Sequence, residues 1–216
     1  KGFSDKAIAQ YCLTYTLVLL NSVNDHLFNQ GNNEWCQNKF TDFKEISIVN
    51  KSIGVLGLGN NGKSIAALFK KLGCKVYGHD INENKRDFVD VFYKCKNELF
   101  EECDILIIAV NSSEENVNSI DSETFKLMKS SSYLINISRG NIINENDLYF
   151  ALKNKTIKGA VLDVTVNEPL SKYNKLWNLK NIIITPHIAG NVNMFVDDIM
   201  SDFYKKLDAF LNSNNV

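Results

Sequence analysis

Apolar residues are unevenly spread along this chain; from residue 53 onward they gather into short runs separated by longer polar or amphipathic stretches. The runs fall at residues 53–58, 75–78, 89–93, 105–110, 133–137, 160–164 and 182–185. Each is nearly continuous rather than alternating, which marks a strand buried on both faces. Segments 63–72, 97–102, 122–129 and 144–154 lie between them and are long enough for a helix or a short crossover. That alternation predicts an α/β fold, a doubly wound parallel sheet with helices on both faces. Upstream, residues 7–21 carry apolar positions at helical spacing, with Ser4 as N-cap. Residues 22–50 are polar, and the Asn-Gln-Gly-Asn-Asn run at 29–33 reads as a loop. Beyond Pro186, Met194, Phe195, Ile199, Phe203, Tyr204, Leu207 and Phe210 form a helical stripe, predicted to face a core over about 193–211.

The first strand runs into Gly57-Leu58-Gly59-Asn60-Asn61-Gly62, and a helical segment follows. A lone GxGxxG is a weak signal, but one placed between a strand and a helix is the dinucleotide fingerprint of a Rossmann-type sheet. Gly57 allows the tight turn, Gly59 removes a Cβ from the path of a pyrophosphate, and Gly62 lets helix and strand approach. With Asn60 and Asn61 between these glycines, the helix start offers N–H groups and a positive dipole end to phosphates. Asp80 ends the second strand, eighteen residues past Gly62. A carboxylate there accepts from ribose hydroxyls and repels a 2′-phosphate, so NAD is expected over NADP. His79 is read as a solvated neighbour of the adenine, and His26 as a helix-surface residue.

Three further segments carry chemistry. Ile137-Ser138-Arg139-Gly140 puts an arginine just beyond a strand, where ligands bind in open parallel sheets. Asp163 closes the next strand and is followed by Asn167-Glu168-Pro169-Leu170; Thr185-Pro186-His187-Ile188-Ala189-Gly190 sets a histidine after the last strand. Arg139 and Glu168 are 29 residues apart, Glu168 and His187 19. Together these blocks resemble the signature of the D-2-hydroxyacid dehydrogenases, from Ser4 to about Gly190. Reducing a 2-keto acid needs a hydride and a proton. His187 is the candidate acid, Glu168 the carboxylate that keeps the imidazole charged and oriented, and Arg139 the fork for the substrate carboxylate or keto oxygen. The resemblance implies that Asp163 binds the nicotinamide carboxamide. It also implies NAD contacts at Val110, Asn111, Ile137, Ser138, Arg139, His187 and Gly190. The chain departs from the pattern at 109–116, which lacks the usual proline-leucine-threonine, at Gln10 and at Asn191-Val192.

Composition narrows the partners. A formal net charge of −1 gives no field that would favour nucleic acid. The apolar stretch at 7–20 is too short for a bilayer. Five scattered cysteines (Cys12, Cys36, Cys74, Cys95, Cys103) without CxxC pairs imply reduced thiols, a cytoplasmic setting and no metal site. The chain opens at Lys1-Gly2-Phe3. With no Met there, and a family that builds its substrate domain mainly from preceding residues, a trimmed piece is expected, with that domain largely absent from this chain. Residues 1–190 would form the NAD-binding domain, and 191–216 a helix crossing back to the substrate domain, so that part of its apolar stripe is expected to be exposed in this piece. The 22–50 arm falls where the family dimerises, so a homodimer is expected. The function implied is hydride exchange between NAD(H) and a small D-2-hydroxy or 2-keto acid. The alternative is an NAD(H)-sensing binding module of the same fold that recruits partners, as corepressors of this fold do. A third option, formate oxidation, normally replaces the carboxylate with an amide where this chain has Glu168.

Overall fold

In a computed structural model, residues 4–35, 46–190 and 195–213 are described. The expected strands all form: β1 (Ser52–Leu56), β2 (Lys75–His79), β3 (Val91–Phe92), β4 (Ile105–Ile108), β5 (Tyr133–Asn136), β6 (Gly159–Leu162) and β7 (Ile182–Ile184). They make one parallel sheet in the order β3-β2-β1-β4-β5-β6-β7. The helices are α1 (Asp5–Leu20), α2 (Val23–Gly31), α3 (Asn60–Lys71), α4 (Lys96–Glu102), α5 (Ser122–Leu127), α6 (Glu145–Lys153) and α7 (Phe195–Ser213).

Strand pleat divides the apolar side chains between two covers. Ile53, Val55, Ile105, Ile107, Ile135 and Val161 meet α1 and α3 on one face. Leu106, Ile108, Leu134, Ala160 and Leu162 meet α4, α5 and α6 on the other. The four central strands are buried along nearly their whole length, so each removes branched side chains from water at roughly 1.5–3 kcal/mol apiece. Polar groups are thereby driven to the strand ends. Strand order reverses between β1 and β4, and loops leaving the carboxyl ends of those neighbours diverge there. That is where an open α/β sheet has room for a ligand.

Four expectations are corrected or limited. The arm at 22–50 contains α2, whose side chains are mostly exposed and which lacks the buried apolar stripe that marks a core helix. Ser4 stands at the N-cap of α1, but its hydroxyl makes no capping bond. The third strand shrinks to two residues because it sits at the sheet edge with one neighbour. The C-terminal helix forms, yet Phe203, Tyr204, Leu207 and Phe210 are 38–63% exposed, so this part of the stripe does not face a core. Met194, Asn191, Val192 and Cys36 lie outside the described residues, as do the side chains of Phe195 and Ile199.

Opposite the ligand end, Asp104 fastens β1 to the entry of β4. Its Oδ2 accepts from the Ser52 N–H at 2.9 Å and the Ser52 hydroxyl at 3.1 Å, while Lys129 meets Oδ1 at 3.1 Å. Burial alone would raise this carboxyl, but the Ser52 and Lys129 donors prevail and hold it below its ordinary value of 3.8. A depressed folded value means the contribution is complete above 3.8 and lost as pH falls through the lower folded value. Urea unfolding of wild type and Asp104→Ala is therefore expected to show a stability gap at pH 7 that closes only in strong acid. A gap that closes between pH 5 and 7 would contradict the assignment.

Candidate active site

The candidate residues lie on six loops, those that follow β1, β2, β4, β5, β6 and β7 at the carboxyl ends of the strands. The glycine turn comes first. Gly57 sits at φ +92°, a left-handed conformation open to glycine, and its N–H donates to the His79 carbonyl of the neighbouring strand at 2.8 Å. A Cβ on Gly62 would lie 1.9 Å from the Gly57 carbonyl oxygen, so the helix can approach the turn only without a side chain. Gly59 differs from both. A Cβ there would meet nothing within 4 Å, and its φ of −71° suits any residue. Nothing within the chain requires glycine at 59, whereas a phosphate resting on the start of α3 would. Asn60 and Asn61 occupy the first turn of α3, whose N–H groups lack intrahelical acceptors.

Asp80 follows β2 and turns back to this loop. Its Oδ2 accepts from the Leu58 N–H at 2.7 Å and from Lys85 Nζ at 2.8 Å; Oδ1 accepts from the Asn82 N–H at 2.8 Å. Burial opposes its ionisation, yet the Lys85 ammonium and the two amides win and hold the carboxyl below the usual carboxylate range. It remains an acceptor throughout the neutral range. Lys85 was not singled out from sequence; the Asp-x-Asn-x-x-Lys spacing from Asp80 was the available signal. His79 is half-buried, with Nδ1 3.0 Å from the Tyr93 carbonyl oxygen, rather than simply solvated.

On the other side of the reversal point the loops are tied to one another. The Ser138 hydroxyl donates to the Val110 carbonyl, joining the loop after β4 to the loop after β5. Asn111 accepts from the Asn116 side chain at 2.9 Å through its carbonyl. Asn136, fully buried, braces the arginine turn by accepting from the Ser138 N–H at 3.0 Å and donating to the Arg139 carbonyl at 3.0 Å. Ile137 is buried, and Arg139 is exposed with Nη1 donating to the Ser138 carbonyl at 2.7 Å. A Cβ on Gly140 would overlap the Thr165 backbone at 1.9 Å, so this turn lies directly against the segment that leads to Glu168.

The histidine turn completes the group. His187 Nδ1 is 2.7 Å from Glu168 Oε2, and Glu168 Oε1 accepts from the Thr165 N–H at 3.1 Å. Burial would raise the Glu168 carboxyl, but the His187 and Thr165 contacts and the nearby Arg139 charge depress it, so it is ionised at neutral pH. Arg139, Glu168 and His187 are therefore brought to one place. His187 has φ +56°, a conformation that costs a β-carbon residue roughly 1–3 kcal/mol and must be held by its surroundings. The holder is Asp163, only 2% exposed. Its carboxylate accepts from the Thr185 hydroxyl at 2.7 Å, the Ile188 N–H at 2.8 Å and the Ala189 N–H at 2.9 Å, and its carbonyl from the His187 N–H at 2.8 Å. Gly190 closes the turn beside Ser4 and Ile8 of the first helix region. Sequence reasoning assigned Asp163 to a ligand and missed this bracing, because residues 22–26 apart in the chain make it.

Comparison with known proteins agrees with this architecture. Residues 13–189 match the model of the family described as D-isomer specific 2-hydroxyacid dehydrogenase, NAD binding domain. The chain is 31% identical to D-3-phosphoglycerate dehydrogenase of Synechocystis sp., over 88% of this chain and 35% of that protein. It is 36% identical to glyoxylate reductase of Pyrococcus horikoshii, over 68% of this chain and 45% of that protein. A solved D-lactate dehydrogenase from Sporolactobacillus sp. superposes with a TM-score of 0.86 at 26% identity, covering 99% of this chain and 67% of its own. The chain thus spans between about a third and half of the length of these two relatives.

The glycines give a separable test. Gly62→Ala is expected to lower stability by about 1–3 kcal/mol or more through overpacking. Gly59→Ala should leave thermal unfolding unchanged while weakening NADH binding about tenfold, read by nucleotide fluorescence titration. Equal thermal losses in both variants, or full NADH affinity in Gly59→Ala, would refute the reading of the turn.

Proposed function

The chain belongs to the D-isomer specific 2-hydroxyacid dehydrogenase family through its NAD-binding domain, and on that premise we propose that it serves an oxidoreductase exchanging a hydride between NAD(H) and a small D-2-hydroxyacid or its 2-keto acid. The observation that supports this most is the 2.7 Å His187–Glu168 contact, with the Arg139 charge beside it. The relatives' names, phosphoglycerate dehydrogenase, glyoxylate reductase and D-lactate dehydrogenase, share that reaction class.

The nucleotide fits the residues present. The open position at Gly59, the α3 amides and the Asp80 carboxylate suit its pyrophosphate and ribose. Asp163 Oδ2 accepts one bond from Ala189, which leaves a lone pair for a carboxamide N–H. Bound NADH would supply the hydride. Glu168 engages Nδ1 of His187, so Nε2 is the nitrogen that meets substrate. In reduction, Nε2–H delivers its proton to the oxygen on which negative charge develops; in oxidation Nε2 takes the hydroxyl proton. Arg139 spends one N–H on the Ser138 carbonyl and offers the rest of its fork to the substrate carboxylate or keto oxygen. Val110, Asn111, Ile137, Ser138 and Gly190 contribute the walls and backbone contacts around the nicotinamide half.

Residues 1–190 are assigned to the nucleotide-binding lobe and 191–216 to a helix returning to a substrate lobe; the exposed apolar side chains of Phe203, Tyr204 and Leu207 suit such a contact. Exposed Leu27, Phe28 and Trp35 in the 22–50 arm suit a second copy of the chain and a homodimer. Among the described residues, Cys12, Cys74 and Cys103 are buried and Cys95 is exposed.

In the full-length protein, NADH-dependent reduction is expected with at least one of glyoxylate, hydroxypyruvate, pyruvate and phosphohydroxypyruvate. His187→Ala should lower kcat by a factor of about 10²–10⁴ with NADH affinity largely kept. NADPH should bind at least about tenfold more weakly than NADH. A wild type that binds NADH but turns over none of the four acids would favour an NAD(H)-sensing module instead.

A further inference from the structure

The candidate catalytic turn is reached by a hydrogen-bond chain that starts on the first helix. Tyr11, in the middle of α1, is buried, and its hydroxyl lies 2.5 Å from Thr185 Oγ1. Thr185 in turn lies 2.7 Å from Asp163 Oδ1. Proton bookkeeping fixes the direction. Thr185 donates its single proton to Asp163 Oδ1. The Thr185 oxygen must then accept, and Tyr11 is the donor. Burial pushes the Tyr11 phenol up, which keeps that proton in place at any working pH. The chain reads Tyr11 O–H to Thr185 O–H to Asp163, and the same carboxylate grips the amides of Ile188 and Ala189 on the far side of His187. Successive donors polarise one another, so each link strengthens the next.

The same helix flanks the turn at its other end. A Cβ on Gly190 would be 3.3 Å from Ser4 Oγ and 3.5 Å from Ile8 Cδ1. Asp5, at the start of α1, accepts from the Ser64 hydroxyl on α3 at 2.5 Å. α1 therefore touches both the helix that begins at the glycine turn and the turn that carries the imidazole.

We propose that Tyr11 is a positioning residue for the His187 turn, acting through Thr185 and Asp163. This rests on the oxidoreductase reading of that turn for its kinetic consequence, though not for its structural one. Without the Tyr11 donor, the Thr185 hydroxyl is free to rotate toward another acceptor, and Asp163 loses one of the three bonds that keep its carboxylate aimed at residues 188 and 189. His187, held in a left-handed conformation, then relaxes away from the productive placement.

The test uses the full-length protein with Tyr11→Phe, which keeps the buried ring, Thr185→Val, Thr185→Ser and the double variant Tyr11→Phe/Thr185→Val. Tyr11→Phe is expected to lower kcat about tenfold with a smaller change in the KM for keto acid. Amide exchange at Ile188 and Ala189 should quicken, while exchange in the central strands stays as in wild type. The double variant should lose no more than Thr185→Val alone, because both act on one chain. Thr185→Ser should recover most of what Thr185→Val loses. Additive losses in the double variant, or wild-type exchange at both amides in Tyr11→Phe, overturn the proposal. A wild type inert toward 2-keto acids defeats the oxidoreductase reading, and the exchange measurement still decides on Tyr11. Should Tyr11→Phe fail to fold, the comparison of Thr185→Ser with Thr185→Val carries the decision.

Discussion

A carboxylate removed from solvent must be met by donors, and two such carboxylates set the working end of this sheet. Asp80, with its side chain 8% exposed, draws in the Leu58 amide from the glycine turn. Asp163, 2% exposed, draws in the amides of residues 188 and 189 and the Thr185 hydroxyl. Each stands just past the carboxyl end of a parallel strand, where the apolar layers stop. Leaving either without its donors would cost more than any single hydrogen bond gains. The loops at this end of the sheet are accordingly shaped by the need to satisfy two carboxyl groups withdrawn from solvent.

The two braces act on opposite halves of the crevice. On one side β1, the glycine turn and β2 form a unit latched by the Gly57–His79 bond and by Asp80. On the other, the loops after β4, β5, β6 and β7 are joined in sequence through the Ser138–Val110 bond, the Gly140–Thr165 approach and Asp163. The strand reversal between β1 and β4 separates these units and leaves the space between them. A long ligand with a phosphate end and a reactive ring end suits that division. α1 spans both units, which is why a residue as remote from the chemistry as Tyr11 enters the account.

The sheet was legible because its strands are buried on both faces and so carry unbroken apolar runs, as in Ile105–Ile108. The glycine turn, Asp80, Arg139, Glu168 and His187 were legible because their chemistry is tied to residue type and to position after a strand. α2 was not, since its Asn, Asp, Gln and Gly residues are weak helix formers and its few apolar residues, Leu27 and Phe28 among them, stay largely exposed rather than marking a buried face. The bracing role of Asp163 was hidden for a different reason: its partners are brought together by β6 and β7 pairing, and no local pattern encodes that. Tyr11 reads in sequence as one more apolar position on a buried helix face, and only the 174-residue separation closed by its hydroxyl makes it distinctive.

The exposure of the His187–Glu168 pair bears on how the site would work. Their side chains are 48% and 39% exposed, so in this chain the pair sits against bulk water. A contact between polar side chains in that setting is worth little, because water competes for both partners. Proton delivery onto a developing alkoxide gains from a site that sheds water, where the same charges interact far more strongly. The matched part is only 35% and 45% of the two relatives, so both are longer than this chain. Within this chain the turns that carry the imidazole, its carboxylate and the arginine are held through Asp163, Gly140 and Asn136, none of which depends on how exposed the pair is.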